Sequence, residues 1–341
     1  MPVQAIQFKR DRHLSLLIVG ILLSGLLLLG CFVASIALGV ADIGPAEAFQ
    51  ALTAPDGSTE HLIIRTVRVP RSLTALLVGS AVAVAGAIMQ GLTRNPLADP
   101  GILGINAGAA FAVVLSVFCL NTASLSVYAG FAMLGAAITA IAVYGLGSLG
   151  RGGLTPMNLT IAGAALTALV SSLTIGILIL SQRTLEEIRF WLAGSVAGRD
   201  IELVIQVLPF LALGLLLGLV LGKQLTTLSL GESVAQGLGQ NTLWIKGLAA
   251  ISVILLAGGS VAIAGPISFL GLIVPHIVRV WTGADYRWTL PYSAVAGAIL
   301  LLLADVVARL IIQPQELPVG IVMPILGAPF FVYLVRSQVR R

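Results

Sequence analysis

Long apolar stretches separated by short polar interruptions run through the whole chain, and few charges fall inside the stretches. A lipid hydrocarbon core about 30 Å thick needs roughly 20 helical residues at about 1.5 Å each. Two neighbouring stretches are divided only by the break at Gly265-Pro266. The pattern predicts ten membrane-spanning helices, at about 14–40, 70–93, 101–120, 125–148, 157–180, 202–222, 243–264, 267–282, 289–312 and 318–336.

Composition supports this all-α integral membrane fold. Residues of the hydrophobic class make up 58% of the chain and charged residues only 10%, whereas soluble globular proteins carry about 25% charged residues. So few charges cannot cover the surface of a soluble protein of this size. A cytosolic enzyme, a disordered chain and a nucleic-acid-binding domain are therefore excluded.

The distribution of Lys and Arg indicates the orientation. With the N-terminus inside, twelve of them fall on the cytoplasmic side, Arg151, Arg340 and Arg341 included, against seven on the other side. Cytoplasmic loops carry an excess of these residues. We therefore predict a membrane protein with cytoplasmic tails at 1–13 and 337–341 around a transmembrane domain at 14–336.

One short segment occurs twice. Val82-Ala-Val-Ala-Gly-Ala-Ile88 is echoed by Val261-Ala-Ile-Ala-Gly-Pro-Ile267, and the predicted topology gives the two copies opposite directions. This arrangement is typical of inverted five-helix repeats with a transport pathway between them.

The chain shows no source of energy of its own. Its one Gly-Lys pair, Gly222-Lys223, lacks the glycine and the Ser/Thr of a phosphate-binding loop. Asp305 is the one acidic residue well inside a predicted span, which argues against an ion-driven carrier without excluding it. We therefore predict that the chain is not an enzyme, holds no metal or cofactor, and relies on a partner subunit for ATP and magnesium.

A polar segment at 228–241 predicts a short helix between two spans. Ser229 is a candidate N-cap, Glu232 stands three residues later as in a capping box, and Gly239 can end the helix. Such a helix can receive force from a soluble partner, although an ordinary capped loop helix fits the residues equally well.

Several longer motifs make the chain resemble the FecCD family, the permease subunits of ABC importers for iron-siderophores, haem and vitamin B12. They occur in the family's order between about residues 65 and 335. They are Arg68-Val-Pro-Arg71, Gly86-Ala-Ile-Met-Gln90, Asn95-Pro-Leu-Ala-Asp-Pro-Gly-Ile-Leu-Gly104, Leu230-Gly-Glu-Ser-Val-Ala-Gln-Gly-Leu-Gly239, Gly265-Pro-Ile-Ser-Phe-Leu-Gly-Leu-Ile-Val-Pro-His-Ile-Val-Arg279, Ala304-Asp-Val-Val-Ala-Arg309, Glu316-Leu-Pro-Val-Gly320 and Leu326-Gly-Ala-Pro-Phe330.

The resemblance implies a type II importer permease fold and a set of partners. These are a second permease subunit, identical or paralogous, two ATPase subunits that hold ATP and magnesium on the cytoplasmic face, and an extracytoplasmic substrate-binding lipoprotein or periplasmic protein. The resemblance also implies a bacterial cytoplasmic (inner) membrane as the location, with membrane lipid and no nucleic acid as a partner. It also makes 228–241 the coupling helix that contacts an ATPase, through Gly231, Glu232, Ser233, Ala235, Gln236, Leu238 and Gly239.

Three arginines match family positions at the outer helix ends. The resemblance implies that Arg68, Arg71 and Arg309 bind acidic residues of the binding protein, since arginine pairs with carboxylates in a defined orientation. Lipid head groups or intrachain carboxylates are the alternative partners. Asp305, four residues before Arg309, is on the same helical face and can neutralise it.

The family's inner gate lies where the fifth span begins, at Thr155, Pro156, Met157 and Asn158. A polar stripe that includes Thr160, Thr167, Ser171 and Thr174 then shares one face of that span. This stripe either lines the pathway or bonds to backbone carbonyls. A further short helix at 184–197 is expected outside the membrane.

The sequence thus predicts a permease that imports iron(III)-siderophore, and no residue distinguishes this cargo from vitamin B12 or haem. An ion-gradient-driven secondary transporter is the alternative of another class.

Overall fold

The structure is a computed structural model that describes residues 2–39, 43–121, 124–149 and 155–339. The predicted cytoplasmic Arg151, Arg340 and Arg341 lie outside this set. Within it the chain is helical and contains no strand. Fifteen α-helices follow one another: α1 (Pro2–Ala37), α2 (Pro45–Thr53), α3 (Thr59–Ile63), α4 (Val69–Thr93), α5 (Ile105–Leu120), α6 (Leu125–Ser148), α7 (Pro156–Leu180), α8 (Gln182–Leu192), α9 (Ile201–Val220), α10 (Gly222–Ser229), α11 (Glu232–Gly237), α12 (Thr242–Ala264), α13 (Leu270–Thr282), α14 (Tyr286–Leu310) and α15 (Val319–Val339).

The predicted spans correspond to ten of these helices. Seven are long and apolar enough to cross a membrane by themselves, and α5, α13 and the apolar part of α15 are shorter. The predicted start of α5 is occupied by a 3₁₀ turn at Pro100–Leu103, and the predicted start of α13 by the irregular segment 265–269. Both breaks follow from Pro and Gly, which interrupt a helix where they remove a backbone donor or loosen the backbone.

The described residues outside the predicted spans are also mostly helical. The predicted tail 1–13 continues α1 from Pro2 onward. The predicted short helix at 184–197 is α8, which ends at Leu192, five residues earlier than expected. A π-helical turn at Ile64–Arg68 joins α3 to α4.

The bundle has two ends, which we name by the direction of α1. The proximal end lies where the apolar part of α1 begins, and it holds the ends of α4 and α13 and the starts of α7, α12 and α14. The distal end lies where α1 finishes, and it holds α2, α3, α8 and the starts of α4 and α15. Hydrogen bonds fix both groupings, for example Tyr286 N to Thr226 Oγ1 at 2.9 Å (proximal) and Gly320 N to Gly194 O at 2.9 Å (distal).

Helix α4 is the centre of the bundle and runs antiparallel to α14 and α12. Two glycine contacts let neighbouring helices approach α4 closely. A Cβ on Gly79 would lie 2.5 Å from the Gly297 oxygen of α14, and the Gly86 backbone meets that of Gly271 in α13 even more tightly. Small residues permit such backbone approach between membrane helices. The opposite directions of α4 and α12 are those predicted for the two copies of the repeated segment.

Burial differs strongly between the spans. In the most apolar window of the α4 span 83% of residues are buried, against 11% in the windows of α1 and α7. Helices α1 and α7 therefore contact the rest of the chain along narrow stripes and leave broad apolar faces for other partners.

Candidate functional site

The predicted coupling segment forms two short helices at the proximal end, α10 and α11. Gly231 separates them with a φ of 128°, a conformation that favours glycine. The predicted cap is wrong in one respect: the Ser229 hydroxyl donates to the Thr226 oxygen inside α10, and Gly231 is the N-cap of α11. Gly239 ends the segment as predicted, with a φ of 80° and its N–H bonded to the Gln236 oxygen at 2.9 Å.

Glu232 attaches α11 to the beginning of α12. Its Oε1 accepts from Lys246 Nζ at 2.6 Å and from Thr242 Oγ1 at 3.2 Å. The hydrogen bond from Lys246 is the largest cause of a lowered pKa of the Glu232 carboxyl, and the positive charge of Arg94 contributes. This carboxylate therefore stays ionised. It bonds α11 to the start of α12 and faces the positive charge of Arg94 at the end of α4.

One side of the coupling segment is apolar and exposed. Ala235 is fully buried and anchors α11, while Leu230 and Leu238 are 66% and 70% exposed. Ser233 and Gln236 are also exposed, and the Gln236 amide donates to Thr242. An exposed apolar surface that is not a lipid-facing span marks a site for a protein partner.

The coupling segment meets the start of α7 around a small cavity. Leu228, Glu232 and Lys246 line one part of this cavity of about 20 Å³, and Thr155 and Pro156 line another. The end of α4, at Leu92–Arg94, completes it. Two of the predicted gate residues, Thr155 and Pro156, and the predicted coupling residue Glu232 thus border one cavity.

The start of α7 is a capped helix end. Thr155 Oγ1 accepts from the Asn158 N–H at 3.2 Å, and Pro156 occupies the first turn, where a missing N–H costs nothing. Met157 projects outward and is 68% exposed. A flexible apolar side chain is therefore the most prominent group at this end of α7.

Two members of the polar stripe of α7, Thr160 and Thr174, bond to their own backbone. Thr160 donates to the Pro156 oxygen at 2.9 Å and Thr174 to the Val170 oxygen at 2.8 Å. Thr167 lies beside Gly104, and Thr174 is buried. The stripe also includes Ser171. Thr160 at its beginning is exposed, whereas Thr174 at its end faces the bundle, so the exposed face of α7 is mainly apolar.

The three predicted docking arginines lie inside the distal end of the bundle. Arg71 is 4% exposed, and its Nε and Nη2 donate to both oxygens of Asp305 at 2.9 to 3.1 Å. Its Nη1 also donates to Glu316 in the segment before α15. Arg71 thereby connects α4 to α14 and to the approach of α15.

Arg309 and Arg68 bind the end of α1. Arg309 is 2% exposed; it pairs with Asp305 as predicted and donates to the Ser35 oxygen at 2.8 Å. Arg68 is 4% exposed and donates to the oxygens of Ile36 and Ala37 at 3.0 and 2.7 Å. These contacts cap the carbonyl end of α1 with positive charge, which the helix dipole favours.

These contacts correspond to the intrachain pairing that the sequence left as an alternative. In this conformation none of the three guanidinium groups is on the surface, so a partner carboxylate cannot reach them unless intrachain bonds open. Their predicted role in docking stays a prediction. Glu316, with 35% of its side chain exposed, is the accessible acidic member of the cluster.

Sequence reasoning missed Asp99, a second acidic residue among the helices. It caps the 3₁₀ turn, with Oδ1 accepting from the Gly101 N–H at 2.8 Å. Asp99 also lines a cavity of about 10 Å³, together with Ser260 and with Val82 in the middle of α4. The available signal was the Asp-Pro-Gly sequence, since Asp is a preferred cap and Pro a preferred first residue.

Comparison with known proteins places these features in a family. Residues 26–337 match the FecCD transport family. The probable siderophore transport system permease protein YfiZ of Bacillus subtilis is 50% identical over 310 residues, which cover 91% of this chain and 93% of that protein. The iron(3+)-hydroxamate import system permease protein FhuB of Bacillus subtilis is 44% identical over 94% of this chain and 84% of its own length.

The fold agrees with that of a solved transporter. An inward-facing structure of a metal-chelate type ABC transporter superimposes with a TM-score of 0.80 and 32% identity. The match covers 93% of this chain and 98% of the other. The ten-helix arrangement is therefore that of a known importer architecture.

Proposed function

Since the chain belongs to the FecCD transport family, we propose that it is the permease subunit of an ATP-driven importer that carries ferric siderophore across the bacterial cytoplasmic membrane. The family match spans nearly the whole chain, and relatives at 50% and 44% identity are named for siderophore and iron-hydroxamate transport. The proximal end is then cytoplasmic, which is the orientation favoured by the distribution of Lys and Arg.

The observation that carries this proposal is the shared proximal cavity. It joins the exposed coupling segment, through Glu232 and Lys246, to Thr155 and Pro156 at the start of α7. Because the coupling segment and the start of α7 border the same small cavity, movement of α11 can be passed to the start of α7 there. A connection of this kind lets an external motor open and close a pathway beside α7 without any chemistry in this chain.

The exposed apolar surfaces suggest where the partners bind. The coupling segment, with Leu230 and Leu238 outward, fits a groove on an ATPase, one per permease in an assembly of two permeases and two ATPases. ATP and magnesium belong to those subunits. The exposed faces of α7 and α15 suit a second permease, identical or paralogous, with the pathway between the two copies.

Docking of the substrate-binding protein is proposed at the distal end. The three buried arginines position the rim formed by α1, α4 and α14, and a partner carboxylate can engage Arg71 only by displacing Glu316. Arg65, Arg183 and Arg189 are exposed in the same region and can make the first contacts. Electrostatic contacts at a rim chiefly accelerate and orient association.

An ion-gradient-driven carrier is the competing function, and the surroundings of Asp305 argue against it. This carboxylate accepts hydrogen bonds from two guanidinium groups, so binding and releasing a transported ion would require a large rearrangement. Asp99 is the remaining intramembrane carboxylate among the described residues that such a carrier could use.

ATP-dependent uptake of ferric siderophore into proteoliposomes tests the proposal. The liposomes contain this chain with its ATPase and binding protein, and wild type is compared with Glu232→Lys and with Asp99→Asn. We expect uptake to require ATP, and we expect Glu232→Lys to reduce uptake strongly while ATP hydrolysis continues. Uptake that needs an ion gradient and no ATPase, and that Asp99→Asn abolishes, would establish the secondary carrier instead.

The docking proposal has its own test in the same liposomes. Reversal of the exposed charges in Arg65→Glu/Arg183→Glu/Arg189→Glu should raise the concentration of binding protein needed for half-maximal ATPase stimulation, without changing basal hydrolysis. Arg287→Glu at the proximal end serves as the matched charge control. Equal stimulation of all forms would exclude these arginines from docking.

A further inference from the structure

We propose that the groove between α1, α13 and α14 binds one anionic phospholipid from the leaflet at the proximal end. The groove has a volume of about 670 Å³. Leu16, Gly20 and Leu27 of α1 form one wall, Val280 and Trp281 of α13 another, and Tyr292 of α14 belongs to the floor. This site is separate from the coupling segment and from the arginine cluster.

The two hydroxyl groups of the groove already have partners inside the chain, which favours an apolar occupant. The Tyr292 hydroxyl donates to the Leu17 oxygen at 2.7 Å, and the Ser24 hydroxyl donates to the Ile21 oxygen at 2.9 Å. Gly20 makes the first bond possible, because a Cβ there would lie 2.3 Å from the Tyr292 oxygen. A ligand therefore finds a hydrocarbon-like lining, and an acyl chain fits it without loss of hydrogen bonds.

The length of the groove matches one leaflet. Its lining runs from Leu16 to Leu27 along α1 and from Tyr292 to Leu303 along α14. Both intervals correspond to about 16 Å at a rise of about 1.5 Å per residue. This is roughly half of a hydrocarbon core about 30 Å thick, so an acyl chain that enters from the proximal surface would end near the middle of the bilayer.

The residues at the groove entrance indicate the head group. Helix α1 is continuous from Pro2, so Lys9, Arg10 and Arg12 lie about 6 to 10 Å beyond Leu16 along the helix axis. Trp281, 66% exposed at the end of α13, has the amphipathic ring typical of the head-group region.

The charge of the leader favours an anionic over a zwitterionic lipid. A cluster of Lys and Arg next to a membrane helix attracts anionic lipid. We therefore expect a preference of about tenfold for phosphatidylglycerol over phosphatidylcholine. The assignment of this leaflet as cytoplasmic rests on the proposed orientation, whereas the site itself does not.

Native mass spectrometry of the delipidated full-length chain tests the proposal, with phosphatidylglycerol and phosphatidylcholine as probes. We expect one tightly retained phosphatidylglycerol and about tenfold weaker retention of phosphatidylcholine. In Ser24→Phe/Ala296→Phe the rings fill the groove, and this tightly held lipid should be lost. Ala212→Phe/Leu216→Phe adds similar rings to the exposed face of α9 and should retain it.

A second variant tests the head group. Lys9→Gln/Arg10→Gln/Arg12→Gln leaves the groove intact and should bind both lipids about equally. Unchanged lipid retention in the filled groove would overturn the site, and an unchanged preference in the triple variant would overturn the anionic assignment. Retention of a second copy of the chain in place of lipid, lost on filling, would show that the groove is a protein interface.

Discussion

The substitution Asp305→Asn should destabilise the chain far more than its conservative size suggests. Asp305 is 1% exposed and accepts hydrogen bonds from two buried arginines, Arg71 and Arg309. An asparagine keeps the shape but removes the carboxylate charge to which both guanidinium groups are hydrogen-bonded, and Glu316 then remains hydrogen-bonded to Arg71. Breaking a buried ion pair on one side costs about 3–5 kcal/mol, and we expect a loss in that range.

The chain contains a matched exposed pair for comparison. Arg183 and Glu187 have the same spacing of four residues on α8 as Asp305 and Arg309 on α14, but the Arg183 side chain is 64% exposed. Exposed pairs of this spacing contribute about 0.3–0.5 kcal/mol. Arg183→Gln should therefore change the free energy of unfolding by less than about 1 kcal/mol.

The free energy of unfolding is measured by titration with a denaturing detergent in mixed micelles, followed by circular dichroism. The double variant Asp305→Asn/Arg309→Met should recover part of the lost stability, because it removes the guanidinium charge that is left without a hydrogen-bonded carboxylate. If Asp305→Asn costs no more than Arg183→Gln, the reasoning is refuted. Asp305 would then not stabilise the cluster, and an ion-binding role would become open to it again.

Three further predictions concern the core, the coupling segment and the polar stripe. Gly86→Ala should destabilise the chain by several kcal/mol in the same titration, since its Cβ would overlap a backbone carbonyl of α13, whereas Gly130→Ala, with nothing within 4 Å, should be neutral or slightly stabilising. Lys246→Met should make the free energy of unfolding less dependent on pH. Because the pKa of Glu232 is lowered in the folded state, its bond to Lys246 stabilises the fold above the ordinary carboxyl pKa. This contribution is lost as the pH falls through the lower folded pKa. Unfolding titrations between about pH 3 and pH 7 check this, and an equal pH dependence in both forms would contradict it. Thr174→Val should leave siderophore uptake within about twofold of wild type, since its hydroxyl is satisfied by its own helix; a larger loss would restore the stripe to the pathway.

Apolar length and helix-breaking residues were enough to predict the spans. The predicted 70–93, 243–264 and 157–180 agree within about a residue with α4, α12 and α7. The family motifs then identified the architecture that the solved transporter shares. Local pattern also predicted the bond between Asp305 and Arg309, because the two residues are one helical turn apart.

What sequence reasoning missed depends on contacts between distant residues. Arg71 and Asp305 are 234 positions apart, and nothing in either local sequence shows that they meet. The resemblance placed all three arginines at outer helix ends, and for Arg68 and Arg71 the local sequence offered no intrachain partner that would argue for burial. Asp99 falls between two predicted spans and was therefore treated as a loop residue. The turn at Pro100–Leu103 returns into the bundle because it packs against α7 and α13, and hydrophobic periodicity does not show such packing.

The contrast in burial between α4 and α7 has a mechanical consequence. Backbone-to-backbone contacts such as Gly79 with Gly297 and Gly86 with Gly271 cannot slide without a clash, so α4, α13 and α14 must move as one solid block. Helix α7 buries much less of its surface, and its tight backbone contact, between Gly163 and the Ile102 oxygen, lies about two turns from its start, so the start can move at lower cost. In each turnover we therefore expect the distances within that block to stay constant while the start of α7 changes position against it. Pairs of spin labels, one on the block and one at the start of α7, would then report the cycle as a single hinge.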